Sequence, residues 1–297
     1  MEQIELFYTV GKKCDNDSNN KRREEILEGI LKVPEEYLND AQYGEKWREV
    51  QNGWRDVLRG LCSDVFDSMN ILKMAGRGNN YDYCVNYYNS EQIVNKRCIE
   101  FKYNSSSLDK IPQFLQLYEN CGFIEKSYAE FYYENYLWSH IEHIPGLEIL
   151  DKELYLKLVR GTKYNCNPFF SRLKDAELDK PSKSVINKVV NKSIGDYLTR
   201  YAKEIDLEVL QKRLSASQKE KVFVMWKSGK FTTDTISIGS KLEYKGVKNK
   251  NTIVVDDIEQ KQEYHLLLRW KNHKGVLNPA WQISLCKGLT LAKKLVK

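Results

Sequence analysis

"YDYCVNYYNSEQIVNKRCIEFKYN", residues 81–104, decides how the chain is read. Two runs rich in aromatic and β-branched residues, 81–88 and 97–103, flank the polar stretch "NSEQIVNK", so two strands joined by a turn are expected. Side chains alternate along a strand, so Glu100 and Lys102 point to one face while Ile99, Phe101 and Tyr103 point to the other. Asp82, at the start of the preceding strand, can bring a second carboxylate to the same place. Asp is disfavoured in strands, and burying a charge without a partner is costly, so acids among such apolar neighbours ask for a function. The bland alternative is an exposed strand face with a cross-strand ion pair worth ~0.2–1 kcal/mol.

Two carboxylates with a carbonyl and waters suit Mg²⁺, which takes hard oxygen ligands in an octahedron. An ammonium beside them can orient a water or stabilise charge on a phosphate. On these residues the stretch resembles the PD-(D/E)xK nuclease superfamily. That family's pattern is an acid, a variable gap and acid–x–Lys, matched here by Asp82, a gap of seventeen residues, and Glu100-Phe101-Lys102. Tyr81 stands where the family name has proline. Two further stretches, "IEFKYN…PQFLQLY" and "NPAWQISL", resemble members encoded by large DNA viruses.

The resemblance implies an α/β (α+β) fold with a restriction-endonuclease-like core, a mixed central sheet flanked by helices. It implies a helix before the sheet (47–66), a helix after the motif strand (106–120), and metal-dependent hydrolysis of phosphodiester bonds. Asp82, Glu100 and the main chain of Phe101 would hold Mg²⁺, or Mn²⁺ as its substitute, and Lys102 would orient the attacking water. The expected partner is nucleic acid, DNA before RNA on family grounds, and a homodimer is expected where both strands are cut. The competing expectation is a nucleic-acid-binding or protein-interaction module that keeps the fold without chemistry.

Acid–x–Lys recurs in a chain that is 30% charged. Glu243-Tyr244-Lys245 lies downstream of Asp234, and Glu259-Gln260-Lys261 follows Asp256 and Asp257. The first runs into the turn "GVKNKN" and the second sits in a polar link, whereas Glu100 lies inside the apolar run "RCIEFKY". Glu49 and Asp56 on the preceding helix are candidate extra metal ligands, and Gln113 and Gln116 candidate substrate contacts, although ordinary helix-surface roles are the simpler reading. His140 and His143 have a metal-compatible spacing without a third ligand nearby, which favours a structural role. No G-x-G-x-x-G, Walker lysine or Ser-His-Asp layout is found.

The rest of the chain gives the frame. Its 297 residues, 41% hydrophobic and 12% aromatic, are enough for a sizeable core. Helices are expected over 20–38, ending before the "VPEEYL" punctuation, over 47–66 with Trp47, Val50, Trp54, Val57, Leu58, Leu61 and Val65 on one face, and over 125–143. Serine N-cap candidates, Ser106 and Ser107, open the expected 106–120 helix. A connector spans "GTKYNCNPFFSRLKDAELDKPSKS". From 220 the period changes: "KVFVMW" reads as a buried core strand, a hairpin turns at Ser228-Gly229, and "NTIVV", "YHLLLRW" and "AWQISL" continue as strands. The expected division is an N-terminal helical arm (1–44), a core (45–229) with a helical insertion (122–215), and a β-rich C-terminal extension (230–297).

Net charge is +6, but residues 180–250 alone carry 16 basic and 7 acidic residues. That asymmetry suggests a polyanion-binding surface, with a lysine-rich solvated face as its alternative. Lys188, Lys192, Arg200, Lys203, Lys212 and Arg213 lie on one or two amphipathic helices at 184–214. There Val185, Val189 and Leu198 are expected to face inward and the cations outward. Seven cysteines without a C-x-x-C pair argue against a disulfide framework or zinc ribbon, and Cys62, Cys84, Cys98 and Cys121 read as small hydrophobes. No apolar run reaches the ~20 residues that span a bilayer, and "MEQIELFYTVGKKCDNDSNN" lacks a signal layout, so a soluble intracellular protein is expected, in cytoplasm or nucleus, with no membrane partner.

Overall fold

A computed structural model describes residues 1–11, 15–74, 79–142, 148–161, 180–272 and 277–287. Residues 81–104 form a hairpin of β2 (Tyr83–Asn89) and β3 (Gln92–Tyr103). The turn is tighter than expected. Ser90 and Glu91 take φ of 49° and 69°, the two-residue geometry whose twist matches paired strands. Residues 92–96, expected in the turn, therefore belong to β3, where Gln92, Ile93 and Val94 are exposed and the apolar pair Ile93-Val94 does not alternate with polar neighbours as a half-buried strand would.

Around this hairpin a first sheet assembles. β1 (Ser68–Lys73) pairs antiparallel with β2, and β5 (Lys221–Lys227) pairs parallel with β3. β6 (Lys230–Asp234) closes the order β1-β2-β3-β5-β6. Strand β5 is the expected "KVFVMW" run, buried from Lys221 to Trp226, and Ser228-Gly229 turn it into β6. The fold is mixed α+β, with two mostly antiparallel sheets and several helices.

The first unit comprises Met1–Ile111 and Ser215–Ser237. One face of its sheet offers Tyr83, Val85, Tyr87, Ile99, Phe101, Val224 and Trp226. Against them pack α1 (Asn16–Gly29), through Ile26 and Leu27, and α3 (Gly44–Gly60), through Trp47, Val50, Trp54 and Leu58. Each fully buried side chain of this size contributes ~1.5–3 kcal/mol. Between these helices lie a 3₁₀ turn (Ile30–Lys32) and α2 (Glu35–Leu38): the first helical run ends before Val33-Pro34, as expected, where Pro34 cannot donate a hydrogen bond to continue it. Helix α3 ends at Gly60, and Val65, expected on its apolar face, is 81% exposed.

Polar ties fix the N-terminal segment to the sheet. Trp226 Nε1 donates to the Phe7 carbonyl (2.8 Å), Tyr87 Oη to that of Leu58 (2.6 Å) and Tyr83 Oη to that of Glu24 (2.7 Å). The buried Arg23 donates to the carbonyls of Leu6 and Thr9, and its guanidinium lies 3.4 Å from the centre of the Tyr103 ring.

The second unit comprises Pro112–Leu214 and Ile238–Lys297. The expected 106–120 helix does not form. A short 3₁₀ turn (Leu108–Lys110) is followed by β4 (Leu115–Tyr118), which pairs with β10 (Leu277–Lys287). Pro112 interrupts any helix, and the alternation Leu115-Gln116-Leu117 suits a strand that finds its partner far along the chain. With β7 (Leu242–Lys248), β8 (Thr252–Asp257) and β9 (Gln262–Asn272), the second sheet has the order β4-β10-β9-β8-β7.

Its helices are α4 (Tyr128–Asn135), α5 (Leu137–Ile141), α6 (Lys152–Arg160), α7 (Lys180–Tyr201) and α8 (Leu207–Gln218), the last belonging to it as far as Leu214. The expected 125–143 helix is thus split at Tyr136. Tyr128, Tyr132, Tyr197 and Trp270 are buried together, and Trp270 Nε1 and Ser193 Oγ both reach the Tyr128 hydroxyl. Most of the expected connector, residues 162–179, lies outside the described residues. No helix among the described residues is long and apolar enough to cross a membrane.

Candidate active site

Asp82 sits where β2 begins, held on both sides by main-chain bonds. Its N–H donates to the Ile99 carbonyl (2.8 Å) and its carbonyl accepts from Met74 N–H (2.7 Å). Its carboxylate Oδ2 accepts the Phe101 N–H at 2.8 Å. The sheet thus delivers Asp82 to the main chain between Glu100 and Lys102, the residues the sequence pairs with it.

Glu100 is held by two ammonium groups. Lys102 Nζ lies 2.5 Å from Oε1 and Lys221 Nζ lies 2.9 Å from Oε2. Lys221 opens β5, pairs in register with Cys98, and is 3% exposed. Its ammonium also donates to the Asn80 carbonyl. Burial lowers its pKa, and the charge of Glu100 opposes that shift.

A third carboxylate belongs to this neighbourhood. Glu24 on α1 interacts electrostatically with Lys73, Lys102 and Glu100, and burial is the main cause that raises its pKa. Two contacts place α1 here: Tyr83 binds the Glu24 carbonyl, and Arg23 stacks on Tyr103, the residue after Lys102. Asp82 is pushed up to about 7, first by burial and then by the charges of Glu100 and Glu24; the Phe101 N–H and Lys102 act in the opposite direction.

The donor set suits a hard divalent cation. Asp82 Oδ1 has no hydrogen-bond partner among the described residues. A carboxylate crowded by two others is the kind of group that a cation relieves. As they stand, Glu24, Asp82 and Glu100 do not all bring ligand oxygens to within 4.8 Å of one another, and an ion held by one or two of them would complete its shell with water.

The other candidates fall elsewhere. Glu49 is exposed and accepts the Tyr8 hydroxyl (2.7 Å), and Asp56 is exposed on α3; neither takes part in the electrostatics of Asp82. Gln116 lies on β4 opposite Gln282, and Gln113 just precedes β4, so neither occupies a helix after the motif. His140 is buried with Nδ1 2.6 Å from the Tyr132 hydroxyl, a structural role; His143 lies outside the described residues.

In the competing motifs the acids serve their own loops. Asp256 pairs with Lys245 (3.1 Å), Glu243 with Lys241 (3.3 Å), and Glu259 accepts from Ser240 N–H (2.8 Å). Asp257 accepts from Gly239 and Gln260 N–H and from the Tyr264 hydroxyl. Lys188, Lys192, Arg200, Lys203, Lys212 and Arg213 are all exposed on or beside α7 and α8. Lys192 is bound to Asp196 (2.7 Å), and Arg200 lies over Phe131. Val185 is 37% exposed, and Ile186 and Val190 face inward in its place.

Sequence reasoning missed Glu24 and Lys221. Glu24 stands three residues before Leu27, on the apolar side of its helix, and Lys221 opens an otherwise apolar core strand; a charge in such a position was the available signal. Comparison of the chain with family models, curated proteins and solved structures returns no match.

Proposed function

We propose that the chain is a metal-dependent nuclease of the PD-(D/E)xK type, acting on the phosphodiester bonds of nucleic acid, with DNA as the preferred substrate. The observation that carries this reading is the seat of Asp82, its carboxylate bonded to the Phe101 N–H between Glu100 and Lys102. A mixed sheet with β3 and β5 parallel, covered by α1 and α3, supports it. A bound Mg²⁺ or Mn²⁺ would supply Lewis-acid activation of water and charge neutralisation at the phosphate. Asp82, Glu100 and Glu24 are the residues to hold it, and Lys102 is placed to orient a water once Glu100 turns toward the cation. The missing helix after β3 departs from the family pattern.

One observation favours the rival, an inactive binding module with the same fold: both oxygens of Glu100 are already taken by lysines. Calorimetric titration with Mg²⁺ and Mn²⁺, alongside cleavage assays on single- and double-stranded DNA and RNA, decides between them. Asp82→Ala, Glu100→Ala and Lys102→Ala are each expected to abolish cleavage, with Glu100→Ala also abolishing the binding of Mg²⁺ and Mn²⁺ at this centre. Full activity in Glu100→Ala would overturn the assignment, and folded wild-type protein that binds neither ion would leave the binding module.

A further inference from the structure

The second sheet carries a separate constellation. Glu263 and His265 stand two residues apart on β9, on the face opposite the buried Tyr264 and Leu266. Cys286 on β10 is the register partner of Glu263, so all three side chains leave the same face. His265 Nε2 lies 2.5 Å from Glu263 Oε1, and Cys286 Sγ lies 3.4 Å from Nδ1 and 3.7 Å from Nε2 of the ring. One ligand atom from each residue lies within 4.8 Å of the other two, and all three residues are half-buried.

We propose that Glu263, His265 and Cys286 form a binding site for a divalent transition metal of the zinc class. The donor chemistry selects the ion. A thiolate, an imidazole and one carboxylate suit a borderline-soft cation, whereas Mg²⁺ and Ca²⁺ take oxygen alone. The spacing agrees: sulfur and nitrogen bound to one tetrahedral zinc lie ~3.5 Å apart, from bond lengths of about 2.3 and 2.0–2.1 Å. The sulfur is almost equally far from both ring nitrogens, so it lies beside the imidazole and not in line with either lone pair. That is a poor thiol–imidazole hydrogen bond, and a turn of the ring about χ2 is enough to aim a nitrogen at a shared ion. The ladder already fixes the three Cα positions.

Two further features fit. Cys286 continues the outward positions of Gln282 and Ser284 on β10, which alternate with the buried Ile283 and Leu285, and a half-exposed strand face is a poor place for a cysteine kept only as a small hydrophobe. Across the ladder from Glu263 stands Asp256, 1% exposed, whose Oδ2 meets Lys245 and whose buried Oδ1 has no hydrogen-bond partner among the described residues. An acceptor left without a donor is what a metal-bound water satisfies. Three protein ligands leave the fourth position of a tetrahedral ion open, the arrangement of zinc sites that take an exogenous ligand.

The test uses the full chain, stripped of metal and titrated with Zn²⁺ by calorimetry and with Co²⁺ by absorption spectroscopy. One equivalent is expected to bind, and Co²⁺ is expected to give a thiolate charge-transfer band. Cys286→Ser should abolish that band. Cys286→Ser and His265→Ala should each weaken Zn²⁺ by at least the ~10–100-fold that loss of an outer-shell partner costs. Zn²⁺ should shield Cys286 from iodoacetamide, and Glu100→Ala should change none of these readings. Melting temperature without metal checks that each variant folds, and Glu263→Gln, which keeps the shape, provides a second variant. Absence of the cobalt–thiolate band, unchanged Zn²⁺ affinity in the folded variants, or Cys286 alkylated equally with and without Zn²⁺ would each overturn the proposal. The last result, with rapid alkylation, would make the group an activated thiol.

Discussion

Asp82 is uncomfortable as a charge, and that has a measurable sign. Its folded-state pKa is raised to about 7 from an ordinary carboxylate value, chiefly by burial. Between about pH 4 and pH 7 the unfolded chain has lost this proton and the folded chain keeps it. Stability therefore falls as pH rises through that window and levels off above it. The loss amounts to about 1–4 kcal/mol, and Glu24, raised by burial, adds to it in the same direction. Denaturant midpoints of wild type and Asp82→Asn from pH 4.5 to 8 should show the slope in the first and a flatter line in the second. Under the proposed metal role, Mg²⁺ recovers stability mostly at the upper end of the window, and Asp82→Asn loses that recovery. Equal slopes in the two proteins would mean that Asp82 ionises freely.

Helix α3 shows how an element is set by what it must approach. Alanine is the better helix former by ~1 kcal/mol, yet a Cβ at Gly53 would lie 2.9 Å from Cδ2 of Phe231 on β6. At Gly60 nothing lies within 4 Å. Gly53→Ala is therefore expected to destabilise, since overpacking costs ~1–3 kcal/mol, while Gly60→Ala is neutral or gains up to ~1 kcal/mol. Thermal melts of the two variants check the contrast, and a Gly53→Ala protein as stable as wild type would show that the ring yields freely. The same logic explains what was legible in the sequence. The regular apolar stripe of α3 and the continuous apolar run of β5 exposed both, strand alternation put Glu100 and Lys102 on one face, and the family resemblance supplied Asp82, whose register the hairpin sets. Local pattern did not expose β4, whose four residues read as helix because their partner β10 lies far along the chain. Nor did it expose Cys286, since no local pattern tells which lone cysteine a distant strand will meet, while Glu24 carried only the signal of a charge on the apolar side of its helix.

For the whole molecule, the exposed cations of α7 and α8 make a claim about affinity, which rests on the nucleic-acid reading. Lys188, Lys203 and Lys212 are exposed with no salt bridge among the described residues, unlike Lys192. If they meet phosphates, each should contribute ~0.7–0.9 to the slope of log affinity against log salt. The triple Lys→Gln variant should weaken binding about equally for all sequences, and cleavage at saturating substrate should hardly change. Binding measured at three salt concentrations decides this, and an unchanged slope would mean that this charge meets only solvent.

The parallel pairing of β3 with β5 also has a consequence in time. Tyr103 ends one strand and Lys221 begins the other, so a ribosome must lay down the whole intervening chain before the pair can close. At about 5–20 residues per second that wait is on the order of 10 s. Throughout it, the hairpin that carries Glu100 presents an unpaired edge beside Ile99 and Phe101, an open template for any other strand nearby. Ribosome-bound chains halted after residue 214 should therefore be the form most prone to aggregate and most in need of a chaperone. Synthesis past residue 237 should relieve both together.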